Sequence, residues 1–92
     1  MRITALEASA ASDRSLSVHV CLSEPGTVTL VITLTAPDGR EVGGTEVMVG
    51  RRTRELTVEV PLAHPVRGTY RLKATLSLAD EVIDNARIDL HV

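Results

Sequence analysis

The sequence predicts an all-β fold: seven antiparallel strands in a two-sheet Greek-key sandwich, with no helix of note. Three observations carry that prediction. Val, Ile and Thr supply 26 of the 92 residues, the β-branched excess that suits a pleated, half-buried surface. Apolar and polar residues alternate with period two in one segment after another, and no stretch keeps a helical period over three turns. Turn-forming residues punctuate the chain at short intervals: Ser12-Asp13, Glu24-Pro25-Gly26, Pro37-Asp38-Gly39, Gly43-Gly44, Gly50, His64-Pro65 and Asp80.

Each predicted strand lies between two of these breaks. The first covers residues 2–8 and has the weakest pattern. The second, 15–23, alternates Leu16, Val18, Val20 and Leu22 with Ser17, His19 and Cys21. The third, 27–35, sets Val28, Leu30, Ile32 and Leu34 against threonines and Val31. The fourth, about 41–49, is short and interrupted by glycine. The fifth, 54–60, alternates Leu56, Val58 and Val60 with Thr57 and Glu59. The sixth, 69–78, carries Tyr70, Leu72, Ala74, Leu76 and Leu78 on one face. The last, 81–92, places Ala86, Ile88, Leu90 and Val92 opposite Arg87, Asp89 and His91. One-sided strands must bury their apolar faces against a second sheet, which gives the sandwich. The chain length fits one domain, residues 1–92.

A faint internal echo supports the same architecture. Val18 to Leu30 is matched, with two extra residues, by Val58 to Leu72, and Ile32-Thr33-Leu34 by Ala74-Thr75-Leu76. Strands two and three thus repeat as strands five and six. Within the second copy, Gly68-Thr69-Tyr70-Arg71-Leu72-Lys73-Ala74 resembles the tyrosine corner of immunoglobulin-like and fibronectin type III-like sandwiches, where a tyrosine early in strand F bonds backbone upstream. In an immunoglobulin-type sandwich the two echoing pairs are the connections that arch between sheets. The resemblance implies a structural role for Tyr70 and Gly68. On it, Tyr70→Phe should cost about 1–2 kcal/mol in chemical denaturation, from a buried partner left unpaired. Leu72 stands where an antibody-type domain has a cysteine, and the chain has no Trp, so antibody-type identity is excluded. Residues 33–39, 58–62 and 68–76, with Glu81-Val82-Ile83-Asp84, are similar more narrowly to the immunoglobulin-like middle domain of glycoside hydrolase family 2 enzymes. Leu62-Ala63-His64 departs from the Leu-Trp step usual there. That likeness implies a spacer domain whose catalytic residues belong to a neighbouring barrel, and it brings over no catalytic residue.

Composition narrows function mainly by exclusion. Tyr70 is the sole aromatic residue, whereas stacking binders of bases use aromatic platforms worth ~1–3 kcal/mol per base. Ten basic against twelve acidic residues give net charge −2, so no footprint for nucleic acid or anionic membrane is expected. No window approaches the ~20 apolar residues of a membrane helix. Cys21 is the single cysteine, so no intrachain disulfide is expected. Glu7 interrupts the opening residues, which do not read as a signal peptide. The expected location is cytoplasmic if the chain is full length, and extracellular if it is excised from a larger protein.

Candidate sites are few. His19 and Cys21, two apart on one strand, share a face and could supply two zinc ligands, with His91 or His64 as a third. The chain lacks CxxC or HxxxH spacing, so the pair reads as an outward histidine beside a small residue, and no metal or cofactor is assigned. Cys21 with His19 as base lacks the pocket and oxyanion donors that nucleophilic chemistry needs. Asp80, Glu81, Asp84 and Asp89 fall across a turn and alternating positions rather than one calcium loop. Arg51, Arg52 and Arg54 form the one basic cluster, a candidate patch for an anion or acidic partner whose alternative is a solvated loop.

The expectation is therefore a non-enzyme. It is a structural or interaction module, an accessory or spacer domain of a larger bacterial protein such as a glycoside hydrolase, meeting a neighbouring domain or protein partner. The fourth and last strands are expected sheet edges where a second copy could add on. Two alternatives stand beside this reading: a self-assembling or decoration-type component of a phage or surface assembly, and a weak small-ligand or glycan-binding module.

Overall fold

The computed structural model describes residues 1–12, 14–62 and 67–91. Among them are seven strands and no helix: β1 (Ile3–Ser12), β2 (Ser15–Leu22), β3 (Val28–Thr35), β4 (Glu41–Val49), β5 (Glu55–Pro61), β6 (Thr69–Leu78) and β7 (Glu81–His91). Every pairing is antiparallel. One sheet has the order β1-β2-β5 and the other β4-β3-β6-β7. The connections β2–β3 and β5–β6 both cross between sheets, as the sequence echo requires. β4 and β7 are edges, as expected, and β1 and β5 are the edges of the other sheet.

The core follows the alternation. Leu16, Val18, Val20 and Leu22 of β2 face Leu30, Ile32, Leu34, Leu72, Ala74 and Leu76 of the opposing sheet, and all are buried. Burial removes each of these side chains from water at ~25 cal/mol per Å² of apolar surface. The central strands β2, β3 and β6 supply most of this interior, while edge strands contribute half-buried residues such as Leu6, Val42 and Ile88.

Two elements differ from the sequence reading. β1 continues to Ser12 instead of ending near residue 8, because it forms a tight hairpin with β2 in which Ser12 pairs with Ser15. Its register slips between Ile3 and Ala5 and again between Ala10 and Ser12. The first slip turns Ile3 and Leu6, three apart, toward the same core, which hides the period-two pattern. β4 keeps its expected bounds, Glu41–Val49, with Gly43 and Gly44 inside it. Leu78, expected inward, is 53% exposed. A register slip between Leu76 and Ser77 lies just before it. The hairpin that follows turns through Ala79 (φ 51°) and Asp80 (φ 65°), the two positive angles that match strand twist in a type I′ turn.

Candidate functional site

Tyr70 lies where the echo placed it, at the start of β6. Tyr70 is the second residue of β6, pairs with Leu90 of β7 and is 1% exposed. Gly68 precedes it at φ +142°, and a Cβ there would lie 2.6 Å from Cγ of Pro37. Glycine is therefore required twice over, by backbone angle and by the close passage of the β5–β6 connection against the β3–β4 turn. Residues 63–66 of the arch that Tyr70 is expected to bond lie outside the described residues. Beside it, Pro37, Gly39, Thr69, Tyr70, Arg71 and Asp89 line an open groove of about 320 Å³. Arg71 Nε lies 3.7 Å from Asp89 Oδ1 across the outer face, with both side chains mostly exposed, so the pair adds little stability.

The β3–β4 turn is ordered by its own side chains. The Gly39 N–H donates to the Ala36 carbonyl at 2.9 Å. Asp38 accepts from the Arg40 backbone N–H at 3.0 Å and from Arg40 Nε at 3.0 Å. The Arg40 backbone N–H, with the guanidinium beside it, holds the Asp38 carboxyl below its ordinary value of 3.8.

The basic residues Arg51 and Arg52 are exposed in the turn of the β4–β5 crossover, closed by a Thr53 N–H to Gly50 carbonyl bond of 3.1 Å. The Arg54 side chain is exposed, while its carbonyl accepts the Leu22 N–H at 2.7 Å and extends the β2–β5 ladder. Among the described residues none of the three arginines enters an ion pair.

The four acidic residues near the last strand do not converge. Asp80 occupies the hairpin turn, Glu81 is exposed opposite Leu78, and Asp89 faces Arg71. Asp84 is half-buried, and its Oδ2 accepts the Ile3 backbone N–H at 2.8 Å. That bond links β7 to β1 across 81 residues of sequence. Sequence reasoning missed it, although the parity that puts Ala86, Ile88 and Leu90 inward also points Asp84 inward.

His19 and Cys21 share the outer face of β2, as their spacing requires. His91 does not join them: it lies on β7 of the other sheet, its Nδ1 3.0 Å from Thr69 Oγ1. His64 is outside the described residues. The third member of the cluster is instead Glu55, which the β2–β5 register sets directly opposite Cys21. His19 Nε2 lies 2.8 Å from Glu55 Oε1 and 3.5 Å from Cys21 Sγ, and His19 Nδ1 lies 3.1 Å from Thr57 Oγ1. This is the one group of three or more His, Cys, Asp or Glu side chains among the described residues with donor atoms gathered within 4.8 Å.

No protein-family model matches the chain, and no curated protein matches it. Solved structures do. A glycosyl hydrolase family 2 member from Bacteroides cellulosilyticus superposes with a TM-score of 0.72 at 18% identity, over 99% of this chain and 15% of that one. A β-glucuronidase from glycoside hydrolase family 2 superposes with a TM-score of 0.68 at 17% identity, over 96% of this chain and 11% of that one. The chain thus spans a small fraction of the proteins it superposes on. At these identities the likeness is one of fold: the chain is similar, along nearly its whole length, to a β-sandwich segment within family 2 glycosyl hydrolases.

Proposed function

We propose that residues 1–92 form one non-catalytic accessory domain, of immunoglobulin or fibronectin type III type, that spaces and positions a larger bacterial protein of the glycoside hydrolase family 2 kind. The observation that carries this reading is the superposition over 99% of this chain on 15% of a family 2 member. The distribution of apolar surface agrees with it. Leu78, Val82 and Ile83 are 53%, 57% and 38% exposed around the β6–β7 hairpin. Leu78 and Ile83 border an open hollow of about 510 Å³ with Met1, Pro25 and Val28. Clustered apolar exposure of this kind marks a face that another domain covers.

The natural reading frame is the first test. Continuation into a catalytic barrel supports a spacer, whereas a stop codon after Val92 together with a defined oligomer in light scattering would favour self-assembly. In the longer protein, Leu78→Asp with Ile83→Asp should lower the melting temperature of the neighbouring domain while leaving the isolated sandwich unchanged. The 92-residue chain alone should turn over no chromogenic glycoside.

A further inference from the structure

We propose that His19, Cys21 and Glu55 form a surface site for a zinc-class divalent cation on the outer face of the β1-β2-β5 sheet, with one coordination position left to water. The site is built by strand register. Cys21 stands opposite Glu55 and His19 opposite Thr57, so two successive outward-facing rungs of one ladder present a thiol, an imidazole, a carboxylate and a hydroxyl as a block. A donor set held on paired strands keeps its spacing better than one carried by a loop.

The geometry suits tetrahedral coordination. Zinc bonds of ~2.0–2.1 Å to nitrogen and ~2.3 Å to sulfur imply a ligand N···S separation of about 3.5 Å. His19 Nε2 and Cys21 Sγ are 3.5 Å apart. The same ring nitrogen faces Glu55 Oε1 at 2.8 Å, and a modest outward swing of the exposed Glu55 admits an ion between them. Thr57 completes the arrangement from behind the ring, 3.1 Å from Nδ1. With the metal bound, Nδ1–H donates to the Thr57 hydroxyl and Nε2 carries the lone pair to the ion. Such outer partners fix the tautomer of a ligating histidine. Without it, Nε2–H donates to Glu55 and the hydroxyl reverses, donating to Nδ1. Either way the Thr57 bond survives, and loading replaces the contacts of His19 Nε2 with Glu55 Oε1 and Cys21 Sγ by bonds to the ion.

Charge and donor chemistry select the ion. Binding takes the thiolate, so Cys21 releases its proton to solvent. Thiolate and carboxylate then cancel the double positive charge. Sulfur and imidazole donors favour zinc-class ions over magnesium or calcium. The neighbouring rungs of the face add Glu7 beside His19 and Glu59 opposite Ser17, and no Lys or Arg. Side-chain exposures of 33% for His19 and 66% for Glu55 leave the site open to solvent.

Cobalt titration of the 92-residue protein, followed by displacement with zinc, tests the proposal. The expected result is one equivalent per chain, a thiolate-to-cobalt charge-transfer band and the intense visible bands of four-coordinate cobalt. Cys21→Ser should abolish the charge-transfer band. His19→Ala and Glu55→Gln should each weaken zinc affinity by at least about 10-fold in competition with a chromophoric chelator, and Thr57→Val, which removes only the orienting partner, by about 10–100-fold with the band retained. Circular dichroism confirms that each variant is folded. Absence of the charge-transfer band in the unsubstituted protein overturns the site. So does unchanged affinity in both His19→Ala and Glu55→Gln, which would reduce the signal to a lone thiol. Half an equivalent per chain with a doubled mass would replace the single-chain site by one shared between two copies.

Discussion

At one margin of the sandwich β1 lies against β7, and at the other β4 lies against β5. The two seams are closed by opposite means. The β1–β7 seam is tied by a directed bond, the Asp84 carboxylate accepting the Ile3 N–H at 2.8 Å. The β4–β5 seam is closed by absence: Gly43 has no side chain, and a Cβ there would meet the Pro61 carbonyl oxygen at 2.7 Å. A backbone atom cannot step aside as a flexible side chain can. One seam therefore depends on a group that is present and the other on a group that is missing. Each has an associated turn, the β6–β7 hairpin through Ala79 and Asp80 and the β3–β4 turn held by Asp38.

Substitutions at four places separate the two modes. The largest effect is expected at the glycine seam. Gly43→Val should cost about 3 kcal/mol in urea denaturation, because overpacking against fixed backbone forces the strands apart. A cost under 1 kcal/mol would mean the seam is loose. At the tied seam, Asp84→Ala should cost about 1–2 kcal/mol by leaving the Ile3 N–H without its acceptor. Asp84→Asn, which keeps an oxygen at that place, should recover part of the loss, and equal losses in the two variants would assign the effect to something other than the bond. Smaller still, replacing Ala79-Asp80 by Asn-Gly should raise stability by about 1 kcal/mol, since both positions hold positive φ that a non-glycine residue adopts at some cost. The smallest effect is expected at Asp38. Its carboxyl titrates below the ordinary value of 3.8 because the Arg40 backbone N–H and guanidinium favour the anion. A carboxyl depressed in the folded state contributes stability above its unfolded value, and that contribution disappears as pH falls through the lowered one. Asp38→Asn should therefore flatten the stability profile slightly at the acid end and leave neutral pH nearly unchanged. Carbon-detected NMR titration of Asp38 reads the displacement directly.

How much of this was visible in the residues depends on whether the information is local. The strands β2, β3 and β6 are legible because their alternation runs unbroken and their inner residues are all apolar. The slip in β1 between Ile3 and Ala5 shifts the phase of the pattern, so period two fails there for a physical reason. Tyr70 and Gly68 could be placed because their motif is contiguous. The candidate metal cluster was half legible: spacing puts His19 and Cys21 on one face, but the third ligand depends on which strand pairs with β2 and in what register. Alternation fixes a face and leaves the neighbour open. Asp84 is the harder case, since the donor it meets is at the other end of the chain and no sequence pattern marks it.

The Asp84 tie has a mechanical consequence. It places the start of β7 beside the start of β1, so these two strands run in the same direction and His91 emerges at the far end of the sandwich from Ile3. The sandwich is 36 Å along its longest axis, and a strand of ten residues covers about 33 Å. Tension applied between the two ends would therefore run along the strands. The ladder bonds of β1 with β2 and of β6 with β7 would be loaded together in shear, rather than opened one after another as in a zipper. A fold so threaded transmits force along its length and resists extension until a whole ladder gives way.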